Sequence, residues 1–557
     1  MSDYYDLGDY RREVTTSNQD VQIWFSRGLI WAYAFNHDES VRCFEQVVAL
    51  DPHCAMGYWG IAFALGPNYN KPWELFDGED LSATTTRAHQ AIVQAKTLAP
   101  HATALENALV DALACRYPQK QPGDCLAWDR SYAKAMEAVY EQYPDDLDVT
   151  ALYCDALMNL TPWKMWDFRT GQPAAGAKTL LVKKMLDRAL ERDETHEHPG
   201  ILHLYIHLME MSSVPEIVLP IANCLRGLVP DAGHLEHMPT HIDVLCGDYR
   251  SAVKSNTSAI RADNKFLANQ PVGHFYNLYR AHDYHFRMYA AMMGGQSKIA
   301  LDTGAEMAHI VTECLSQASS LGPRSPPMAD WLEGFVSMQV HGFIRFGRWD
   351  DIITLKLPTD AQLYCVTTAM MHYAKGVALA ATGRVPEADA ERKLFKESVK
   401  LVPDSRRIFN NKCTDILGIA SEMLDGEITY RRGEFDAAFD HLREAVKRED
   451  TLPYDEPWGW MQPSRHALGA LLLEQGHIKQ ALAVYAADLG VEHESDPPLP
   501  RALRHYGNVW ALHGYQECLL KLGNKHEARR QAPQLKHVLA YADVPIKSSC
   551  FCRIDTT

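Results

Sequence analysis

The sequence predicts an all-α fold, specifically a right-handed α-solenoid built from pairs of helices. Three observations support this prediction. Large and small residues recur with a period of about 34 residues, and glycines suited to turns between helices recur along the chain. Histidines recur at helical spacing in its middle. Because the repeat would account for most of the 557 residues, we expect one continuous superhelix rather than several unrelated domains.

The first repeat lies close to the N terminus. It matches the template of the tetratricopeptide repeat (TPR) at seven positions, namely Trp24, Gly28, Trp31, Ser40, Phe44, Val47 and Pro52. We expect the large residues to fill the interface within a helix pair, while the small ones let the two helices approach closely. The second half of the template returns with variation at residues 88–100 and 136–144.

Glycines mark the later turns, since glycine adopts positive φ angles without steric cost. Each is followed five residues later by a small or apolar residue, and the series is Gly247, Gly295, Gly347, Gly383, Gly433, Gly476 and Gly523. We expect an N-terminal TPR-like superhelix over residues 1–321. A C-terminal set of TPR-like repeats, with a tail, would follow over residues 322–557.

The middle of the chain is rich in histidine, with ten of the 25 histidines between His196 and His285. A helix that begins at Pro199 would place side chains three or four residues apart on one face. Three stripes with this spacing follow one another: His203, His207 and Glu210; then His234, His237 and His241; then His282 with His285.

The turn glycines, rather than the histidines, set the position of these stripes in the repeat. Counting from Gly247 and Gly295 places all eight side chains on the first helices of three consecutive repeats. In TPR proteins those positions face the concave groove. Neutral imidazole is the commonest metal ligand, and a carboxylate can share or orient such a site. The sequence therefore predicts a metal centre in the groove.

Composition and charge exclude several other classes of function. The formal net charge of −16 argues against nucleic acid or an anionic membrane as a partner. We find no apolar run of about 18 residues, and the chain opens with acidic residues rather than a signal sequence. Thirteen cysteines without a C-x-x-C pair indicate reduced thiols in a cytoplasmic protein.

Several motifs give the chain a family resemblance to TPR proteins. More narrowly, it resembles a group of bacterial and fungal TPR-domain proteins, the fungal members of which are often associated with secondary metabolism. The motifs are His198-Pro199-Gly200 with Tyr205-Ile206-His207, the run from Gly233 to His241 (GHLEHMPTH), His285-Phe286, residues 34–37, 54–60 and 66–70, and residues 454–457 with 468–473. Thr240 stands where that group is expected to have serine. The resemblance implies a metal-site protein.

The ligand types narrow the choice of metal. Seven histidines and one glutamate exceed what a closed structural zinc site needs, and none of the cysteines falls on the stripes. Such nitrogen and oxygen donors favour iron or copper, with zinc as an alternative, and one or two ions. The predicted ligands are His203, His207, Glu210, His234, His237, His241, His282 and His285. Glu210 could instead orient a ligand, and His282 could act as an acid or base.

Four residues are candidates for contacting a small-molecule substrate. Trp59 takes an inward-facing repeat position, Tyr289 lies one turn beyond His285, and His37 and Asn68 could reach the groove from loops. For these residues, ordinary helix packing, helix caps and turns are the competing interpretation.

The predicted function is a metal-dependent enzyme that oxidises a small organic molecule with O₂. We find no nucleophile elbow, no P-loop and no H-E-x-x-H pair that would point to another reaction. A zinc-dependent hydrolase or lyase would use the same ligands. A TPR scaffold that binds a protein partner without catalysis is the remaining alternative.

Overall fold

The computed structural model describes residues 4–192, 196–271, 274–318, 328–491 and 499–553. Helices dominate these residues, and consecutive helices pack on one another along the chain. The predicted all-α solenoid is therefore confirmed. Two short antiparallel strand pairs interrupt the helices: β1 (Trp166–Asp167) with β2 (Gln172–Pro173), and β3 (Arg407–Ile408) with β4 (Asn411–Lys412).

Contacts between Cα atoms divide the chain into two compact units. The first unit comprises the described residues of Met1–Ile242 and Ser258–Asn269. Its helices are α1 (Gln19–Tyr33), α2 (His37–Leu50), α3 (Ala55–Leu65), α4 (Gly78–Leu98), α5 (Ala104–Ala114), α6 (Cys125–Gln142), α7 (Leu147–Met158), α8 (Thr179–Arg192), α9 (Pro199–Met209), α10 (Leu219–Leu225) and α11 (Gly233–His237). Two further helices, α12 (Pro239–Cys246) and α13 (Tyr249–Leu267), contribute residues to both units.

The second unit comprises Asp243–Thr257 and the described residues of Gln270–Gly322 and Pro327–Thr557. Its helices are α14 (Asn277–Met293), α15 (Ser297–Ala318), α16 (Met328–Val336), α17 (Gln339–Arg345), α18 (Trp349–Thr354), α19 (Cys365–Ala381), α20 (Val385–Val399), α21 (Cys413–Arg431), α22 (Phe435–Asp450), α23 (Ser464–Glu474), α24 (Ile478–Leu489), α25 (Val509–Lys521) and α26 (Lys525–Leu539).

The predicted boundary between residues 321 and 322 lies outside the described residues and stays a prediction. Residues 274–318 belong to the second unit, because α14 and α15 pack on α16 and α17. The third histidine stripe therefore lies in a different unit from the first two.

Small residues allow close helix packing where the repeat template requires them. A Cβ atom at Gly28 of α1 would lie 2.7 Å from the ring of Phe44 on α2, so a larger residue would push this pair apart. The predicted turn glycines also behave as expected. Gly247 has a φ of 81°, in the left-handed region that L residues other than glycine adopt at a steric cost.

The C-terminal tail differs from its prediction in one respect. Cys550 and Cys552, which the sequence analysis treats as reduced thiols, are joined by a disulfide. Their Cα atoms are 5.2 Å apart, within the usual range for such a bond.

Among the described residues, no helix combines the length and the apolar character that crossing a membrane requires.

Candidate metal centre

Helix α9 carries the first stripe. Pro199 occupies its first turn, and the side chain of His198 accepts a hydrogen bond from the backbone N–H of Ile201, which caps the helix. Every residue of α9 is buried, so its histidines lie inside the first unit rather than on a wet surface. His203 and His207 are one turn apart, and Glu210 follows directly after the helix ends.

Two short helices carry the second stripe. His234 and His237 lie on α11, and His241 lies on α12. A Cβ atom at Gly233 would lie 1.8 Å from a carboxylate oxygen of Asp263 on α13. Glycine is therefore required at the start of α11, because α13 packs directly on it.

Glu210 joins the two stripes through its carboxylate. Its Oε1 lies 3.2 Å from Nδ1 of His207, and its Oε2 lies 2.7 Å from Nδ1 of His241. An ionised carboxylate can only accept, so each ring donates from Nδ1 and keeps its lone pair on Nε2. A carboxylate that orients histidines in this way is typical of the surroundings of protein-bound metals.

The remaining histidines continue the network. Nδ1 of His203 lies 2.6 Å from the carbonyl oxygen of Tyr33 and must donate to it, which leaves the lone pair on Nε2. That Nε2 lies 3.1 Å from Nε2 of His234. Likewise, Nε2 of His241 lies 2.8 Å from Nε2 of His237. Such a pair of facing nitrogens must share either a proton or an ion.

The distances define two sets of ligand atoms in the first unit. His203, His207 and His234 offer atoms that all lie within 4.8 Å of one another, and so do His207, Glu210 and His241. His207 belongs to both sets. These spacings suit donors around one ion with bonds of about 2.0–2.2 Å. The structure therefore brings the first two stripes together as candidate ligands.

Burial keeps these imidazoles in the form that binds metal. Removal from water lowers the pKa of His203 to about 3 and lowers the pKa of His234 well below its ordinary value. Both rings are therefore neutral at physiological pH. A neutral imidazole with a lone pair on Nε2 can bind a cation without first losing a proton.

Two aromatic residues with positive φ angles pack against the histidines. Phe35 has a φ of 54° and stacks on His207, with ring centroids 5.7 Å apart. Trp163 has a φ of 58° and packs edge-on against the same ring at 5.9 Å. Such angles cost about 1–3 kcal/mol in residues other than glycine, and they concentrate at functional sites. Sequence reasoning missed both residues, because no local pattern encodes a positive φ at an aromatic residue.

A small cavity of about 10 Å³, with room for about one water molecule, lies beside His203 within the first unit. Its walls combine three aromatic and three polar side chains: Tyr33, Phe35, Phe63, His37, Asp155 and His203. A candidate metal ligand therefore lines this cavity, which is much smaller than the sites that bind small molecules.

The predicted substrate residues are placed differently from one another. His37 lines the cavity, and its Nδ1 lies 3.2 Å from the carbonyl oxygen of Gly66. Trp59 is buried behind the wall and stacks on Phe63 at 5.3 Å. Asn68 forms a turn, since its side-chain oxygen accepts the backbone N–H groups of Asn70 and Lys71. Only His37 of these three lines the cavity.

The other predicted site residues lie on α14 in the second unit. His282 packs against the ring of Phe409 at 4.8 Å. His285 is fully buried against Phe335, and neither ring nitrogen has a hydrogen-bond partner within the described part of the chain. Tyr289 lines a separate small cavity of about 20 Å³ within that unit. Their roles as ligands, acid or base and substrate contact stay predictions.

Comparison with known proteins does not assign the chain to a family. No family model matches it, and no curated protein matches it. One similar solved chain belongs to the structure of Naa15/Naa10 bound to HypK-THB, with 11% identity, coverage of 94% of this chain and 70% of that one, and a TM-score of 0.23. A TM-score this low supports no conclusion about this chain. The molecule is thus a helical-repeat protein with buried histidine clusters that could hold a metal ion, and the narrower resemblance stays a prediction.

Proposed function

We propose that this protein is a metal-dependent enzyme that oxidises a small organic molecule with O₂, using iron or copper. The observation that carries the proposal is the carboxylate of Glu210, which accepts Nδ1–H from both His207 and His241. This contact orients two imidazoles for coordination through Nε2. The scaffold thus supplies more than a buried polar cluster, because it sets the tautomer of each ring.

His203, His207 and His234 would hold the ion, and Glu210 would orient His207 from behind. All of these donors are nitrogen or oxygen atoms, which suits a redox-active iron or copper ion. When bound, such an ion supplies electron transfer and a binding site for O₂. Phe35 would exclude water from one side of the histidines, since its ring lies 4.5–5.7 Å from those of all three proposed ligands.

A chain of polar contacts would move protons toward the centre. Thr240 Oγ1 lies 3.4 Å from Nδ1 of His237, whose Nε2 faces Nε2 of His241 at 2.8 Å. His241 then contacts Glu210, and Glu210 contacts His207. A proton can pass along this series by tautomer exchange in the two histidines. His237 and His241 thus act as proton carriers if the centre holds one ion, and as ligands if it holds two.

Metal content tests this proposal. Elemental analysis of the untagged protein, purified without chelator, should find about one or two iron or copper ions per chain. A His207→Ala/His241→Ala variant should lose them. A matched His466→Ala variant, which removes a buried histidine of the second unit, should keep them. Stoichiometric zinc would instead support the hydrolase or lyase alternative.

A second measurement separates catalysis from scaffolding. Turnover of the substrate should stop under anaerobic conditions and return with O₂. Full anaerobic turnover would exclude an O₂-dependent reaction. If no metal is retained and added metal does not raise the thermal unfolding temperature, the histidines are structural. The TPR scaffold with a protein partner would then be the better hypothesis.

A further inference from the structure

The end of the described chain packs back onto the second unit. Residues 548–553, here called the tail segment, lie against the first helices of five consecutive helix pairs: α17, α19, α21, α23 and α25. The tail segment belongs to no helix or strand. Its backbone carbonyl groups therefore need donors from elsewhere, and side chains of these helices donate to two of them. The second unit thus already binds a short peptide, namely a segment of its own chain.

Ser549 uses both its hydroxyl group and its carbonyl group in this contact. Its Oγ donates to the carbonyl oxygen of His466 at 2.7 Å, so it must accept from the O–H of Tyr485 at 2.6 Å. The carbonyl oxygen of Ser549 accepts from Nη1 of Arg345 at 2.9 Å. Because Ser549 is almost fully buried, a residue without a hydroxyl would leave these groups unpaired. The surface therefore recognises a hydroxyl residue at this position.

Two charged side chains of the helices hold the end of the tail segment. Nη2 of Arg431, the last residue of α21, donates to the carbonyl oxygen of Cys552. Nη1 of Arg553 lies 2.8 Å from Oε2 of Glu517 on α25. Hydrogen bonds that involve a charged group are stronger than neutral ones. The surface therefore recognises a backbone carbonyl and a cation beyond the serine.

Apolar packing beneath the tail segment is incomplete. The ring of Phe551 lies 6.2 Å from that of Trp510 between centroids, and 36% of Phe551 stays exposed. A cavity of about 30 Å³, with room for about two water molecules, is lined by the tail segment and by α19 and α21. Polar contacts rather than a filled apolar core therefore hold the segment. Water can replace such contacts at a small net cost, so the segment can leave the surface while the helices stay folded.

A disulfide makes the docking of the tail segment sensitive to redox state. It joins Cys550 and Cys552, two positions apart in sequence, and the other eleven cysteines of the chain are free. A disulfide limits the conformations of the undocked segment and so reduces the entropy lost on docking, by roughly tenfold in the equilibrium for so short a loop. A dithiol reductant would break the S–S bond with two electrons and two protons. Two thiols would then remain on the segment, and the reductant would become a disulfide.

We propose that the tail segment is a displaceable ligand of the second unit, and that reduction of its disulfide opens this surface to a peptide of another protein. The partner peptide carries the groups that the surface already binds: a serine, an aromatic residue two positions later, and an arginine two positions after that. Their partners on the helices are Tyr485 and the His466 carbonyl for the serine, Trp510 for the aromatic residue, and Glu517 for the arginine. The inference uses only the second unit and does not depend on the proposed metal centre.

Binding of a labelled peptide to the full-length protein tests the inference. The probe is a fluorescent peptide of residues 543–553 with the changes Cys550→Ser and Cys552→Ser, which make it insensitive to reductant. Fluorescence anisotropy should show that it binds the reduced protein about tenfold more tightly than the oxidised protein, because the docked tail segment competes less. A full-length Cys550→Ser/Cys552→Ser protein should bind the probe as tightly as the reduced wild type does, with or without reductant.

A pair of glutamate variants in this Cys550→Ser/Cys552→Ser protein locates the bound probe. Glu517→Gln removes the charge opposite Arg553 and should weaken probe binding about threefold, the scale of a partly exposed ion pair. Glu527→Gln, the same change at an equally exposed ion pair on α26, should leave binding unchanged. Arg431→Ala removes the donor to the Cys552 carbonyl and should weaken binding about tenfold.

Three outcomes would overturn the inference. These are no binding of the probe to any form of the protein at millimolar concentration, equal binding to the oxidised and reduced wild type, or binding that Glu517→Gln leaves unchanged. Thermal unfolding of each variant shows whether it is folded, so misfolding is not mistaken for lost recognition. If Arg431→Ala does not fold, the comparison of Glu517→Gln with Glu527→Gln decides the result.

Discussion

Each unit contains a buried carboxylate that bridges two histidines, yet the two clusters differ in their remaining nitrogens. In the first unit, Glu210 contacts Nδ1 of both His207 and His241. In the second unit, Asp488 contacts Nε2 of His466 at 3.0 Å and Nδ1 of His505 at 2.8 Å. All of these side chains are nearly or fully buried.

The cluster around Asp488 is closed. Nη2 of Arg345 lies 3.2 Å from Nδ1 of His466, and a guanidinium can only donate, so the lone pair of that ring is used. Nδ2 of Asn508 provides a third contact to Asp488 at 2.9 Å. The carboxylate is thus surrounded by donors, and its pKa lies well below the ordinary value because His466 and His505 oppose the effect of burial.

The difference shows that a carboxylate between two histidines does not by itself make a metal site. In the Asp488 cluster, the far nitrogen of His466 ends on a guanidinium, which repels a metal cation. In the Glu210 cluster, the far nitrogens keep lone pairs, and other imidazoles lie opposite them. The Asp488 cluster therefore stabilises the fold, whereas the Glu210 cluster is suited to binding a metal ion.

The largest expected effect concerns the closed cluster. Asp488→Asn removes the buried anion that contacts His466, His505 and Asn508, and it also removes the attraction to the Arg345 guanidinium. Breaking a buried charge cluster in this way costs about 3–5 kcal/mol of the free energy of unfolding. Chemical denaturation measures the loss, and metal content should not change. A variant as stable as the wild type would show that Asp488 is not the centre of this cluster.

The second prediction concerns Glu210. Glu210→Gln keeps the size of the side chain but lets it accept from only one of the two histidines. We expect metal affinity to fall about 10–100-fold, the usual effect of losing an orienting carboxylate. Competition with a coloured chelator measures the affinity. If Glu210→Gln binds metal as tightly as the wild type does, the carboxylate does not orient the ligands.

Sequence reasoning predicted the part of this contrast that depends on local spacing. His203, His207 and Glu210 share a face because a helix repeats every 3.6 residues, and the glycine turns correctly placed the second stripe beside the first. The closed cluster has no such signal. His466 lies on α23, Asp488 on α24 and His505 in the segment before α25, about twenty residues apart in sequence, so only the folded chain brings them together.

The same reason explains why sequence reasoning missed three buried charged residues of the first unit. Arg116 follows the end of α5, Asp129 lies on α6 and Asp155 lies on α7, and each looks like an ordinary charged residue in the sequence. Their burial follows from tertiary packing alone. That all three histidine stripes line one groove stays a prediction.

The third prediction concerns Asp155, a buried carboxylate whose pKa is raised, whereas the pKa of Asp488 is lowered by its two histidines. The pKa of Asp155 is raised to about 7, so the folded state holds a proton that the unfolded state releases near pH 4. Stability from this group is complete below about pH 4 and is lost as pH rises through 7. Asp155→Asn should therefore gain stability over the wild type as pH rises, by about 1–2 kcal/mol between pH 6 and pH 8. Denaturation at both pH values measures it, and a gain that is independent of pH would contradict a raised pKa.

The smallest effect is expected at the far end of the proton path. Thr240 contacts Nδ1 of His237 at 3.4 Å, a long and weak hydrogen bond. Thr240→Val keeps the shape and removes the hydroxyl, and we expect metal affinity to change less than about threefold, since such a bond contributes about 0.5 kcal/mol. Thr240→Ser keeps the hydroxyl and serves as the control with no change. If proton transfer through His237 limits turnover, Thr240→Val should lower kcat and leave KM unchanged. The solvent isotope effect on kcat should then increase in Thr240→Val and not in Thr240→Ser. Equal kinetics in both variants would place the end of the proton path at His237.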